Sequence, residues 1–478
     1  VLFSSFVSGL LAVLLLNCAA FAQEIDLQSL AGKEWYGLYM NGRKVGYSME
    51  EITVSGDGAV TMVEDARLKL NMVGVKQDMR IYTKRAYRAD GTLASIESTI
   101  DDISDTTEMR ATVQGDSLVL LTTVGGHKNR KLLPVPSDSL ADMTAQFRLI
   151  SGDPAVGESV DFSLFEPAFE REISGVSELI ATEERLFDGV ATRVYKIKTL
   201  FKEMGIDAVA HVTEDGTTLE DVTAGGAVTM RLEPEDIAKD VNYTNDTIVS
   251  NAVGVNKPIR NPRNRTALSL RIRGPLAPEH LLNGRRQRFE KGDGYYDFAA
   301  KKIQASSVKS ATLPLDSPPA AEWLKPSLFV QSDSPKIVEQ AKEIIDGETD
   351  AFRVSSLLCE WVHANVRSTF SARMTNSLEV LENMEGDCTE HSMLYIGLAR
   401  AVGIPAREAA GLIYTAYPEP GFYFHQWATV WVGEWIDVDP TFNQPIADAT
   451  HIKLAEGDLF EQTKLLPIIG QLRIQVED

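Results

Sequence analysis

One stretch constrains this chain more than any other: residues 385–407, EGDCTEHSMLYIGLARAVGIPAR. Gly386 breaks whatever precedes it. Asp387 is a strong N-cap residue, and Glu390 three positions on completes a capping box. The pattern predicts a helix that starts at Cys388 and runs about four turns through Leu394, Ile396, Leu398 and Ala401, with Gly403 as its stop and Pro405 just beyond. A thiol at a helix N-terminus meets the positive end of the macrodipole and free backbone N–H groups. Both favour thiolate, the nucleophilic form. A cysteine also packs as a small buried hydrophobe, and this stretch alone does not separate the two readings.

A second stretch does. In FHQWATVWVGEWIDVDPT, His425, Trp427, Thr429 and Trp431 alternate with Gln426, Ala428, Val430 and Val432, the period-two signature of a strand. Gly433-Glu434 reads as a turn and Trp435 to Asp439 as the return strand. Cys388, His425 and a strand-borne Asp then supply nucleophile, base and orienter in that chain order. Asp437 and Asp439 share a face, so alternation does not choose between them. A two-residue loop would set Asp439 opposite Ala428, on the wrong face. A loop one residue longer, bulged at Gly433, sets it opposite Trp427 and makes it a diagonal neighbour of His425. Asp439 is therefore the expected orienter and Asp437 a carboxylate at the rim.

GDCTEH, RAVGIPAR, FHQWATVWV and WIDVDPT, in that order, resemble the transglutaminase-like superfamily, a branch of the papain-like cysteine acyl-transfer fold. The resemblance covers roughly Trp323 to Leu454. It implies an α+β domain, with a Cys-bearing helix against an antiparallel sheet, and the roles of nucleophile for Cys388, base for His425 and orienter for Asp439. The animal enzymes use a Trp upstream of the Cys to help hold the oxyanion. Here no Trp lies between Trp361 and Cys388, which leaves only the Cys388 backbone N–H as a donor for that hole. No complete calcium-loop pattern occurs, so calcium dependence is not carried over and no cofactor is expected.

The chemistry that follows is attack of the thiolate on a carboxamide or peptide carbonyl, an acyl-thioester, and its resolution by water or by an amine. The sequence does not choose between hydrolysis and transamidation. The rival reading is a non-catalytic peptide- or cell-wall-binding protein on a papain-like fold, against which the retention of all three polar positions argues. Cys388 and His391 have a CxxH spacing, but a zinc site needs at least a third protein ligand, and no metal is assigned. His363 and His451 have no nameable partner. Trp427 and Tyr423 are candidate walls of a substrate cleft, and Tyr414 to Phe424, with Pro418, Pro420 and Gly421, reads as a loop beside the base.

Upstream, residues 23–250 read as mostly β. Asp90-Gly91 and Asp215-Gly216 each mark a hairpin, and the two fit either related halves of one curved sheet or two ordinary hairpins. A short helix fits Asp138 to Leu149. Residues 251–312 form a basic β arm: positions 251–310 hold 13 Lys and Arg against 4 Asp and Glu, a net +9 in a chain whose total is −21. This segment reads either as a docking face for an acidic partner or as an arm packed against the protein's own carboxylates. The overall charge argues against nucleic-acid binding. Residues 313–322 are Pro-rich and read as a linker, followed by the Cys-bearing domain at 323–478. Cys359 sits on the apolar side of a helix pattern at 352–366 and is expected to pack in the core, unpaired.

Residues 1–22 have an apolar run, Leu10 to Leu16, and a small-residue cleavage site at Ala20-Phe21-Ala22. They read as a cleaved signal peptide, although the first basic residue is Lys33. Asn17 is a poor neighbour for a lipidated Cys18. The expectation is an exported, bacterial periplasmic or secreted protein with no stable transmembrane segment.

Overall fold

The structure, a computed structural model, describes residues 31–477 apart from 73–74, 103–105, 152–153, 188, 244–245, 247–249, 317 and 370–374. The expected signal peptide at 1–22 lies outside the described residues. The chain divides near residue 245 into two compact units. It has the expected mixed α and β content, with a large sheet in the first unit and a helix-on-sheet domain in the second.

Fourteen strands of the first unit form one antiparallel sheet. Two meanders, 32–134 and 159–232, run outward from a seam where Gly32–Met40 pairs with Val228–Leu232, Tyr36 opposite Leu232 and Met40 opposite Val228. Alternation separates the two faces: in Thr106–Gln114, Thr107, Met109 and Ala111 are buried while Glu108 and Arg110 are exposed. The sheet curls back on itself, because Arg85 in Val75–Tyr87 donates to Asp138 Oδ2 at 2.9 Å and to the Phe165 carbonyl, in Ser159–Glu166, at 3.0 Å. The two Asp-Gly turns lie one in each meander, with Gly91 at φ 79° and Gly216 at φ 92°. Short helices at Leu140–Met143 and Ala145–Ile150 occupy the expected place.

The second unit starts near residue 246 and takes in the Arg-rich segment and the Pro-rich stretch. In its main sheet, Ala406–Thr415 lies between Gly421–Trp431 and His451–Glu456. Gly421–Trp431 also pairs with Val253–Gly254 near one end and with Trp435–Val438 near the other. All of these pairings are antiparallel. The helix Cys388–Ala401 packs on this sheet, among helices Pro335–Ile345, Ala351–Asn365 and Ser377–Asn383. Leu394, Ile396 and Leu398 of the Cys388 helix meet Ala428 and Val430 of the strand and Val354, Leu358 and Val362 of Ala351–Asn365 in one core. Ser334 stands at the N-cap of Pro335–Ile345 but makes no side-chain cap bond; Pro335, with its fixed φ, starts that helix. A second antiparallel sheet joins Gln287–Lys291, Tyr296–Lys301 and Ala267–Arg273 of the Arg-rich segment to Arg473–Val476. Among the described residues no helix is long and apolar enough to cross a membrane.

Candidate active site

The Cys388 helix begins as its sequence directs. Asp387 accepts from the Thr389 N–H at 2.7 Å, and Glu390 Oε2 accepts from the Asp387 N–H at 2.7 Å. Glycine is required at 386, since a Cβ there would lie 2.2 Å from the Cβ of Glu390. Cys388 is thereby held at the first helical position, 3 % exposed.

His425 lies in the strand Gly421–Trp431 and is buried. Its Nε2 is 2.9 Å from Asp439 Oδ2, which leaves Nδ1 as the ring nitrogen for the Cys388 thiol, whose sulfur acts electrostatically on the ring. Burial alone would lower the pKa of His425. The Asp439 carboxylate and the Cys388 sulfur outweigh it and hold the imidazole above its usual value.

The turn sets where Asp439 falls. Trp431 pairs with Trp435, Thr429 with Asp437 and Ala428 with Val438, so the loop is Val432, Gly433 and Glu434. Gly433 takes φ 126°, and a Cβ on it would meet the Lys309 carbonyl at 1.9 Å. Continued one step, this register sets Asp439 beside Trp427, the placement that the longer loop requires. Pro440 has no N–H, and the next two residues close an Asx-type turn: the Thr441 and Phe442 N–H groups donate to Asp439 Oδ1 at 2.9 and 3.3 Å. Asp439 is fully buried. Burial would raise its carboxyl, but His425 and His451 reverse this and hold it far below the usual carboxylate range.

Asp437 is turned to other work. It accepts from Arg286 Nε at 2.6 Å, Lys453 Nζ at 2.7 Å and Thr429 Oγ1 at 2.9 Å. Other arginines of the basic segment also pair within this unit: Arg285 with Glu434, Arg263 with Asp448 at 3.4 Å and Arg271 with Asp297 at 3.4 Å.

The two aromatic candidates are not open walls. Trp427 is 0 % exposed and stacks on His425, ring centroids 5.9 Å apart. Tyr423 is buried, its hydroxyl donating to the Glu419 carbonyl at 2.9 Å. Tyr417 and Phe442 are the more open aromatics of this unit among the described residues, 75 % and 39 % exposed, and the Phe442 ring lies 5.5 Å from that of His425. Cys359 and Cys388 are free thiols. Cys359 is buried in the core, its Sγ donating to the Asp439 carbonyl at 3.7 Å, and burial pushes its thiol pKa well up. His391 has Nδ1 2.6 Å from the Asp387 carbonyl and Nε2 3.2 Å from that of Val366, so both ring nitrogens are engaged by backbone.

Sequence reasoning left His451 without a partner. It is fully buried, with Nε2 2.9 Å from Asp439 Oδ2 and Nδ1 3.3 Å from Asp448 Oδ1. Side-chain ligand atoms of His425, Asp439 and His451 lie within 4.8 Å of one another. Direct hydrogen bonds already join them, so the shared oxygen is satisfied without an ion. The only hint in the sequence is a histidine at the start of a strand twelve residues beyond Asp439.

The profile of the transglutaminase-like superfamily matches residues 338–440, a span that contains Cys388, His425 and Asp439. No curated protein matches the chain. Among solved structures, a candidate cysteine protease from Cytophaga hutchinsonii is 18 % identical, covers 44 % of this chain and 81 % of its own, and has a TM-score of 0.31. A β-barrel-like protein of Brucella abortus from a domain family of unknown function is 12 % identical, over 42 % of this chain and 94 % of its own, at 0.33. A candidate protease from Parabacteroides distasonis is 12 % identical, over 82 % and 65 %, at 0.20. At these TM-scores none of the three supports a statement about this chain. The profile match and the helix-on-sheet fold agree, and the chain carries a transglutaminase-like superfamily domain at residues 338–440.

Proposed function

We propose that the protein is an exported cysteine enzyme that acts on carboxamide or peptide bonds, with Cys388 as nucleophile, His425 as base and Asp439 as orienter. The observation that carries this reading is the buried Cys388–His425–Asp439 chain, with the Asp439 carboxylate 2.9 Å from His425. In the forward step the Cys388 sulfur bonds to the carbonyl carbon, the C–N bond breaks, and the proton held by His425 goes to the leaving amine. Water or a second amine then attacks the thioester, His425 takes its proton, and the sulfur leaves as thiolate, which restores the starting pair. The Cys388 N–H, free at the helix N-terminus, is the proposed oxyanion donor. A peptide substrate fits the family, and the apolar run with its small-residue cleavage site supports export.

The test is mass spectrometry of a glutamine-containing peptide incubated with the protein and with Cys388→Ala, with and without a primary amine. Amine addition that is lost in the variant means transamidation. Cleavage, or a one-unit deamidation gain, lost in the same way means hydrolysis. No change across a broad peptide set, together with an unreactive Cys388, would favour a non-catalytic peptide- or cell-wall-binding protein instead.

A further inference from the structure

Asp439 Oδ2 faces two histidines, and the second has a carboxylate on either side. Nε2 of His451 is 2.9 Å from Asp439 Oδ2 and Nδ1 is 3.3 Å from Asp448 Oδ1, with the ring 0 % exposed. A neutral imidazole has one N–H and one lone pair. In either tautomer it would aim that lone pair at a carboxylate oxygen, in a site where an unpaired polar contact is costly. Only the imidazolium donates to both.

The surrounding groups agree with a cation here. Asp448 is itself fixed, accepting from the Thr450 N–H at 2.7 Å and from Gln444 Nε2 at 2.8 Å, with Arg263 at 3.4 Å. The charged and titratable groups facing His451 are Asp439, Asp448 and His425. Arg263 stands behind Asp448, and Arg286 donates to the His451 carbonyl at 2.7 Å. Asp439 and Asp448 contribute two negative charges, which His451 and Arg263 balance. No net charge then stands behind the Cys388–His425 pair. Burial works against the His451 cation, and the two carboxylates overcome it, Asp448 first.

We propose that His451 is a positioning residue, a fixed imidazolium that holds Asp439 against His425 and sets the pH range over which the Cys388–His425 pair is active. This inference rests on the reading of Cys388 and His425 as nucleophile and base. It extends the site from three residues to a five-residue relay, Cys388–His425–Asp439–His451–Asp448, in which charge alternates.

The experiment measures the rate of iodoacetamide alkylation at Cys388 against pH, located by peptide mass mapping, for the full chain, His451→Gln and Asp448→Asn. It needs no known substrate. The unsubstituted chain should react at acidic pH well ahead of a free thiol. If it shows a single step near the free-thiol pKa, the enzyme reading fails, and that is decided before any variant is made. With the charge of His451 removed, protonated Cys388 and His425 are both favoured, so both limbs of the profile should move to higher pH. The His425 and His451 rings are 5.9 Å apart, which at an intermediate effective dielectric corresponds to roughly one to two pH units. Asp448→Asn should move the limbs the same way by less, because it lets His451 lose its proton. Limbs that stay in place in folded variants, even with lowered rates, would overturn the proposal and leave His451 a packing residue. If His451→Gln does not fold, the Asp448→Asn profile decides alone.

Discussion

Nε2 of His425 stands 2.9 Å from Oδ2 of Asp439, although the two residues are fourteen positions apart in the chain. Two local devices produce that contact. The three-residue loop at Val432–Glu434 sets the register, and the turn that follows pins the other carboxylate oxygen to the Thr441 and Phe442 N–H groups. One oxygen is committed to backbone, so the other is aimed at the ring.

Asp439→Asn should therefore uncouple geometry from charge. The amide can keep the Thr441 contact, but His425 loses the carboxylate that holds its pKa up. The imidazolium is then lost at lower pH, and the alkaline limb of Cys388 alkylation should move down. Turnover should fall by about 10²-fold or more, the usual scale for a positioned acid–base partner. An alkaline limb that does not move would mean that Asp439 contributes shape alone. This shift is opposite in sign to that expected for His451→Gln, so the pair of variants forms a joint check.

Glu390 closes the capping box but is completely buried. Burial and the neighbouring Asp387 push its carboxyl from near 4.5 up to about 8. A folded-state pKa above the unfolded one means that the folded protein binds the proton more tightly. Its contribution is complete below about 4.5 and is lost as pH rises through about 8. Glu390→Gln, which can still accept from the Asp387 N–H, should flatten the fall in thermal midpoint between pH 5 and pH 8 and melt higher than the parent at pH 8. A variant that melts lower at pH 8 would show that the carboxylate form is the one the cap needs.

Arg286 and Asp437 are each about one-twentieth exposed, and their charges meet at 2.6 Å. Breaking such a pair from one side leaves a buried charge uncompensated, typically at a cost of about 3–5 kcal/mol. Lys453 also contacts Asp437, so Arg286→Met should fall at the lower end of that range. Urea unfolding followed by tryptophan fluorescence would measure it. A loss well under 1 kcal/mol would show that Lys453 alone neutralises Asp437.

Phe442 is the aromatic that sequence reasoning passed over. Its ring is partly exposed, 5.5 Å from His425, with the Arg263 guanidinium 4.6 Å from its centroid. A partly open apolar surface beside the base is suited to substrate contact. Phe442→Ala should raise KM by about tenfold with kcat nearly unchanged, the scale of one lost apolar contact. A fall in kcat alone would reassign the ring to support of His425.

The sequence by itself determined the local elements and one register. Asp387, Glu390 and Gly403 specify where the Cys388 helix begins and ends, because caps are made within a few residues of one another. Period-two alternation placed His425 on its strand. A loop one residue longer than Gly433-Glu434 favoured Asp439 over Asp437, since the length of a hairpin loop fixes which residues stand opposite, and the pairing of Trp431 with Trp435 has that length. Tertiary structure decided everything that depends on how distant segments fold back. It buried Trp427 and Tyr423 instead of opening them to a cleft, brought His451 and Asp448 behind Asp439, and set Arg286 against Asp437 from 151 residues away. Alternation gives the face a side chain points to, but not which side chain from another part of the chain will meet it there. That meeting is settled by packing and by the need to pair every buried charge.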